Sequence, residues 1–138
     1  MIRPLVLALG LAACGGHPEA PARAPAQKSV QLNRPGERVD LDPVLPPGYV
    51  TVVDFWSESC GACTVVGGML AVQVAQAPDV LIRKVDVGDG FTPVAKQFQI
   101  GALPHYNVYD RARRLRYVLV GNDCLKAPEL AKQLAAEP

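Results

Sequence analysis

The chain has 138 residues, enough for one domain and too few for two of ordinary size. Its 14 Lys and Arg residues against 13 Asp and Glu give a net charge of +1, which excludes binding to nucleic acid or to an acidic partner by charge alone. Its cysteines are too sparse for a small disulfide-stapled scaffold, so each needs its own explanation: Cys14, Cys60, Cys63 and Cys124.

The N-terminal segment has the features of an export signal. Arg3 supplies positive charge, and residues 5–13 form an apolar run that is too short to span a bilayer. The run ends in Leu-Ala-Ala-Cys14, which resembles a bacterial lipobox and implies cleavage before Cys14 and lipid attachment to its sulfur. An ordinary secretory signal cut nearby is the alternative. Both interpretations predict a signal peptide at residues 1–13 and a protein that leaves the cytoplasm.

Lipidation of Cys14 would make the chain a lipoprotein of the cell envelope. Several acyl chains, palmitate among them, anchor a protein more durably than one. The following Gly15-Gly16 lacks the aspartate that is associated with inner-membrane retention in Gram-negative lipoproteins. We therefore expect a periplasm-facing protein anchored in the outer membrane, if the organism is Gram-negative.

A tether is predicted between this anchor and the domain. Residues 15–28 contain three prolines and no large apolar side chain, so burial cannot offset the entropy cost of ordering them. About 14 residues at about 3 Å each would hold the domain up to roughly 40 Å from the membrane. His17 lies in this segment and is interpreted as a solvated linker residue. The predicted organisation is lipidated Cys14 and tether at 14–28, then one domain at 29–138.

The first half of the domain contains a buried strand followed by a helix. Residues 30–32 and 38–41 are short alternating pieces, interpreted as edge strands or as a lead-in. After a Pro-Pro-Gly turn, residues 50–56 form a β-branched and aromatic run interrupted only by Asp54, which is typical of a buried strand. The long apolar stretch at 64–77 predicts a helix.

The second half predicts a strand at 80–86, a short helix at 92–98, a hairpin and a final helix. Thr92 is the expected N-cap of the short helix. The alternating runs 105–109 and 115–120 are joined by a short polar connection, which favours an antiparallel pair. Residues 128–136 are amphipathic with helical spacing.

The chemistry is concentrated in Cys60-Gly-Ala-Cys63, which opens the helix that follows the buried strand. Free backbone N–H groups and the positive end of the helix dipole favour a thiolate over a thiol in the first helical turn. We expect Cys60 to be the more acidic and more exposed of the two.

This segment resembles the active-site strand and turn of the thioredoxin family: Val-Val-Asp54-Phe-Trp56, three intervening residues, and the Cys60–Cys63 motif. The resemblance covers residues 45–136 and implies an α/β thioredoxin-like fold, a central mixed sheet flanked by helices. It implies a thiol–disulfide oxidoreductase with a redox-active Cys60–Cys63 disulfide, acting on protein thiols and disulfides with an upstream redox partner. Whether it reduces or oxidises its substrates stays open, because this depends on the reduction potential.

Three further positions are assigned catalytic or supporting roles by the resemblance. Asp54 matches the family's buried acid and is the expected proton acceptor for Cys63; a strand-edge acid that reaches solvent is the alternative. Lys84 matches the family's lysine near that acid, with a solvated strand-end charge as the alternative. Trp56 matches the first tryptophan of the motif, and packing against the active-site turn accounts for it equally well.

The resemblance also identifies substrate-binding positions. Pro104 matches the family's cis-proline, which leaves the backbone of Leu103 free to pair with an extended substrate peptide. Gly121 matches a loop glycine on the same surface. The chain departs from the family at Ser59, where a second tryptophan is usual, and at Ala62, where a proline is usual; both changes should alter redox potential and partner choice.

The sequence leaves Cys124 and one alternative function to be interpreted. Cys124 has no counterpart in the family and is interpreted as a half-buried free thiol, with regulatory disulfide formation as the alternative. A redox-inert or metal-handling binding module on the same scaffold would use Cys60, Cys63, Cys124 and His105. One CxxC without a second pair of ligands is a poor zinc signature, so we expect no metal and no cofactor. We also expect a monomer.

Overall fold

The computed structural model describes residues 25–138, and within this range one mixed five-stranded sheet forms the centre of the fold. The strands are β1 (Ser29–Gln31), β2 (Val50–Trp56), β3 (Val80–Asp86), β4 (His105–Tyr109) and β5 (Leu115–Val120). Their order in the sheet is β1-β3-β2-β4-β5. Strands β1, β3 and β2 run parallel to one another, whereas β4 is antiparallel to β2 and β5 is antiparallel to β4.

Helices cover both faces of this sheet, and their order along the chain is the predicted one. They are α1 (Gly61–Val74), α2 (Pro93–Gln97) and α3 (Ala127–Ala136), with 3₁₀ turns at Asp42–Val44 and Gly121–Lys126. Thr92 caps α2, because its side chain accepts a hydrogen bond from the N–H of Ala95. The predicted strands at 50–56, 80–86, 105–109 and 115–120 are confirmed.

Two segments differ from the predictions, each for a local reason. The first helix ends at Val74 rather than at residue 77, because the last N–H groups bond three residues back and Pro78 follows. Residues 38–41 form no strand and serve as a lead-in. The backbone N–H and C=O of Val39 both bond to the amide side chain of Gln97, which replaces a strand partner.

Strand β2 is buried on both faces, as its sequence predicted. Val50 and Val52 lie in a core formed with α1 and α3, whereas Val53 and Phe55 lie in a second core on the α2 side. Both cores are held by the same strand, so the residues at its C-terminal end are rigidly positioned.

One row of side chains crosses the whole sheet near this end. The strand registers place five residues side by side, and from β1 to β5 they are Gln31, Lys84, Asp54, Tyr106 and Leu119. The row lies on the face that carries α1 and α3, since Tyr106 and Leu119 belong to that core. Asp54 therefore faces α1 with a charged neighbour on one side and a tyrosine on the other.

The N-terminal chain enters the fold at the end of the sheet opposite the dithiol. Ser29 pairs with Ile82 near the start of β3, the guanidinium of Arg83 donates to the carbonyl of Gln27, and Lys28 donates to the carbonyl of Ala77. The dithiol follows the far end of β2. The predicted signal peptide and most of the predicted tether lie outside the described residues. In the described part of the chain, no helix has the length and apolar character needed to cross a membrane.

Candidate functional site

Cys60 and Cys63 form a disulfide at the start of α1, with their Cα atoms 5.3 Å apart. Cys60 is the N-cap residue, and its sulfur accepts a hydrogen bond of 3.2 Å from the backbone N–H of Cys63. Cys60 is partly exposed, whereas Cys63 is 3% exposed, which confirms the predicted order of accessibility. In the reduced protein this N–H and the helix dipole would stabilise negative charge on Cys60.

A groove of about 370 Å³ adjoins the Cys60 sulfur. Its walls come from the dithiol turn, the segment that follows β3 and the loop that precedes β4, and the lining residues include Cys60, Val87, Asp89, Ile100 and Leu103. Ser59, which stands where the family usually has a tryptophan, donates a 2.8 Å hydrogen bond to the Asp89 carboxylate. The substitution therefore exchanges an apolar contact for a polar link between the dithiol turn and the opposite loop.

The three predicted substrate-binding residues are linked to one another, and one of them, Leu103, belongs to the groove. The Leu103–Pro104 peptide bond is cis, as the resemblance implied, and Leu103 lines the groove. Gly121 donates its N–H to the carbonyl of Pro104 at 2.8 Å and has a positive φ of 59°, a conformation that favours glycine. The loop before β4 is thus bonded to the 3₁₀ turn that follows β5.

Asp54 is buried, with 2% of its surface exposed, so the alternative of an acid that reaches solvent is wrong. Loss of hydration raises its pKa to about 6, and the positive charge of Lys84 partly opposes this shift. Its Oδ1 atom has no hydrogen-bond partner among the described residues. Its Oδ2 atom lies 3.3 Å from the point where a Cβ on Gly67 would sit. Because Gly67 is one helical turn after Cys63, the carboxyl faces the same side of α1 as the Cys63 thiol.

Lys84 and Trp56 form the flank of this buried acid. Lys84 is the register partner of Asp54 on β3, and its Nζ atom lies 4.5 Å from the centroid of the Trp56 ring. The indole N–H of Trp56 donates to the side chain of Gln31 at 3.0 Å. The tryptophan thus holds the lysine near Asp54, where its charge acts on the carboxyl.

Sequence reasoning missed two residues at the site, Gly67 and Tyr106. Tyr106 is directly opposite Asp54 on β4, and its hydroxyl is buried without a hydrogen-bond partner among the described residues. The sequence contained two signals for them. Tyr106 and Val108 alternate toward the same face of a predicted strand, and a glycine inside a helix often marks a close approach by another group.

The residues of the alternative metal site do not converge. Cys124 is 1% exposed in the core with α1 and α3, more deeply buried than expected, and its thiol donates to the carbonyl of Leu119. His105 packs edge-on against Phe55 on the other face and bonds to Asn107. Within residues 25–138, no group of three or more His, Cys, Asp or Glu side chains is placed to hold a metal ion.

We predict that Cys124 is the slowest cysteine of the folded domain to react. Burial and the nearby charge of Asp54 raise its pKa to about 12, so the reactive thiolate is scarce at neutral pH. Alkylation of the reduced protein, read by peptide mass spectrometry, should modify Cys60 first and Cys124 only on unfolding. Labelling of Cys124 at the rate of Cys60 in the native protein would contradict its burial.

We predict that Asp54→Asn stabilises the protein above pH 6. The acid's pKa is about 6 in the folded protein and 3.8 as a free side chain, so the folded state binds the proton more tightly. The wild type therefore loses stability as pH rises from about 4 to about 6, by about 3 kcal/mol, and the neutral amide does not. Denaturant unfolding at pH 4 and pH 8 measures this. A variant that is less stable than the wild type at pH 8 would show a well-paired carboxylate instead.

The family model for thioredoxin matches residues 44–135 of the chain. The chain is 26% identical to the thioredoxin of Coprinus comatus over 90 residues, 64% of this chain and 84% of that protein. It is 31% identical to the thioredoxin of Mycoplasma pneumoniae over 62 residues, which cover 45% of this chain and 60% of the relative's length.

Solved structures show the same fold. The reduced thioredoxin pre-protein of Schistosoma mansoni superposes with a TM-score of 0.61 at 24% identity, over 78% of this chain and 99% of that one. Spinach chloroplast thioredoxin f superposes with a TM-score of 0.62 at 18% identity, over 80% and 99%. The predicted thioredoxin-like fold is confirmed, and the chain belongs to the thioredoxin family.

Proposed function

We propose that this protein is a thiol–disulfide oxidoreductase that acts on protein substrates by dithiol–disulfide exchange. The observation that carries the proposal is the Cys60–Cys63 disulfide at the N-terminus of α1, beside a groove lined by Leu103 and above the buried Asp54. The arrangement combines an accessible sulfur, a buried second sulfur and a proton acceptor.

The first step uses Cys60, the accessible sulfur. In the reduced enzyme the Cys60 thiolate attacks one sulfur of a substrate disulfide, which forms a mixed disulfide and releases the other substrate sulfur as a thiolate. In this proposal the backbone of Leu103, which lines the groove, pairs with the substrate chain. The N–H of Cys63 and the helix N-terminus stabilise the attacking charge.

The second step uses Cys63 and Asp54. Cys63 loses its proton to the Asp54 carboxylate and attacks the Cys60 sulfur, so that the Cys60–Cys63 disulfide forms and the second substrate sulfur leaves. An acid with a pKa of about 6 is mostly ionised at neutral pH, yet is basic enough to accept the proton. The Lys84 charge keeps the pKa from rising further.

The same steps in reverse oxidise substrate thiols, and a separate redox partner must restore the starting state in either direction. A thioredoxin f2 of the same fold, at 20% identity and a TM-score of 0.56, has been solved in complex with ferredoxin:thioredoxin reductase. Because Ser59 and Ala62 change the surroundings of the sulfurs, a reduction potential measured against glutathione determines which direction operates.

The proposal predicts different outcomes for the two cysteine variants. Cys60→Ser should abolish disulfide reduction in an insulin assay, because no attacking thiolate remains. Cys63→Ser should accumulate mixed disulfides with substrates, because the resolving sulfur is absent. Non-reducing electrophoresis and mass spectrometry detect the trapped species. Two equally inert variants with no trapped species would overturn these roles.

We further propose that the protein is exported and held at a membrane by lipid on Cys14. The support is the lipobox-like Leu-Ala-Ala-Cys14 and the position at which the chain enters the domain. Within residues 25–138, hydrogen bonds to the sheet begin at Gln27, at the end opposite the dithiol. A tether attached there would leave the groove pointing away from the membrane and accessible to soluble substrates.

We predict that Cys14→Ala releases an active protein from membranes. Contacts between the described chain and the sheet begin at Gln27, so loss of the anchor should leave insulin reduction unchanged. Fractionation of cells that express each form measures the distribution, with Cys124→Ala as a cysteine-loss control that should stay in the membrane fraction. Cys14→Ala in the membrane fraction at the wild-type level would argue against lipid anchoring.

A further inference from the structure

The hydroxyl group of Tyr106 and the carboxyl group of Asp54 form a buried polar pair, of which the proposed reaction uses only the carboxyl. The residues are direct partners in the antiparallel register of β2 and β4, so their side chains project from the same face. Cβ atoms of such partners lie about 4.5–5.5 Å apart. Tyr106 is 0% exposed and Asp54 is 2% exposed.

Gly67 on α1 lies beside both groups. A Cβ on Gly67 would meet the Asp54 Oδ2 atom at 3.3 Å and the Tyr106 hydroxyl oxygen at 3.9 Å, so both oxygens border one point beneath α1. Neither the Tyr106 hydroxyl nor the Asp54 Oδ1 atom has a hydrogen-bond partner among the described residues. The Tyr106 hydroxyl, which is unpaired, and the Asp54 carboxyl, whose Oδ2 atom borders the Gly67 position and whose Oδ1 atom is unpaired, are the kind of polar groups that a buried water requires as partners.

The other polar groups around Asp54 already have partners or a proposed role. Lys84 on β3 lies over the Trp56 ring, and the Cys124 thiol donates to the carbonyl of Leu119. Cys63, on α1, is the proposed reaction partner. Tyr106 is therefore the neutral donor available to the carboxylate. Burial and the charge of Asp54 raise the pKa of its hydroxyl, so it keeps its proton throughout the working pH range.

We propose that Tyr106 is a positioning residue for Asp54: its hydroxyl donates, through one water held beside Gly67, to the ionised carboxylate that accepts the Cys63 proton. The inference rests on the proposed function for the identity of the proton donor. The bridge stabilises the charged form of Asp54 and holds its second oxygen in place. A phenylalanine would fill the same core position without this contact, and its burial would not cost an unpaired hydroxyl.

The test is the titration of Asp54 in Tyr106→Phe. The carboxyl carbon signal of labelled Asp54, followed by NMR in the disulfide form, reports the pKa without any turnover. Loss of a donor to the charged form should raise the pKa by about one unit. The midpoint of the pH profile for resolution of the mixed disulfide should move upward by the same amount. Tyr109→Phe, the same change on β4 three register pairs away from Asp54–Tyr106, is the matched control and should move neither.

A second variant tests the bridge itself. Gly67→Ala places a methyl group in the space next to both oxygens and should exclude the water. If the hydroxyl acts through that water, Tyr106→Phe should produce no further shift of the Asp54 pKa when added to Gly67→Ala. An equal shift in both backgrounds, or an unchanged Asp54 titration in Tyr106→Phe, would overturn the proposal.

Wild-type activity and the Asp54 titration distinguish the proposed function from the proposed role of Tyr106. If the wild-type protein neither reduces insulin nor, in its disulfide form, oxidises a dithiol peptide, the proposed function is wrong whatever the titration shows. If the wild type is active and Tyr106→Phe shifts neither the NMR titration nor the pH profile, the function stands and Tyr106 is only a core residue.

Discussion

The buried carboxyl of Asp54 is the constraint around which the rest of the site is arranged. It lies in the central strand, covered by helices on one face and flanked by paired strands on both sides, so it loses most of its hydration. The penalty falls on the charged form and makes the acid a base of useful strength near neutral pH. The charge of Lys84 on one side partly offsets that penalty, and Tyr106 lies directly opposite on the other side. A fold that was optimised for stability alone would carry an apolar residue here.

The two cysteines draw different properties from the same helix terminus. Cys60 occupies the N-cap position, where it is accessible and its sulfur accepts an N–H, whereas Cys63 is covered and faces the side of α1 above Asp54. In the proposed reaction, attack on a partner and resolution of the intermediate thus fall to sulfurs in different environments. The helix terminus would stabilise charge on the first sulfur, and a buried base would remove the proton from the second.

The surface around the dithiol is more polar than the family pattern implied. Ser59 is bonded to Asp89 across the mouth of the groove, where an aromatic side chain would otherwise offer an apolar contact to a partner. The apolar lining comes instead from residues such as Val87, Ile100 and Leu103. We therefore expect partners of this protein to present a smaller apolar surface than partners of family members with the tryptophan. Polar groups beside that surface would face the Asp89 carboxylate.

Local sequence determined most of the architecture, because the periodicity of residues 50–56, the CxxC motif and the Thr92 cap each depend on neighbours in the chain. The same patterns predicted that Asp54 would be buried and that Cys60 would be the exposed thiol. Tertiary structure alone decided which groups meet the acid. Gly67, Tyr106 and Cys124 approach it from three separate elements, and register across a sheet depends on pairing between distant strands. The conformation of residues 38–41 also depended on a distant residue. The Gln97 side chain bonds to the backbone N–H and C=O of Val39, which a strand partner would otherwise have used.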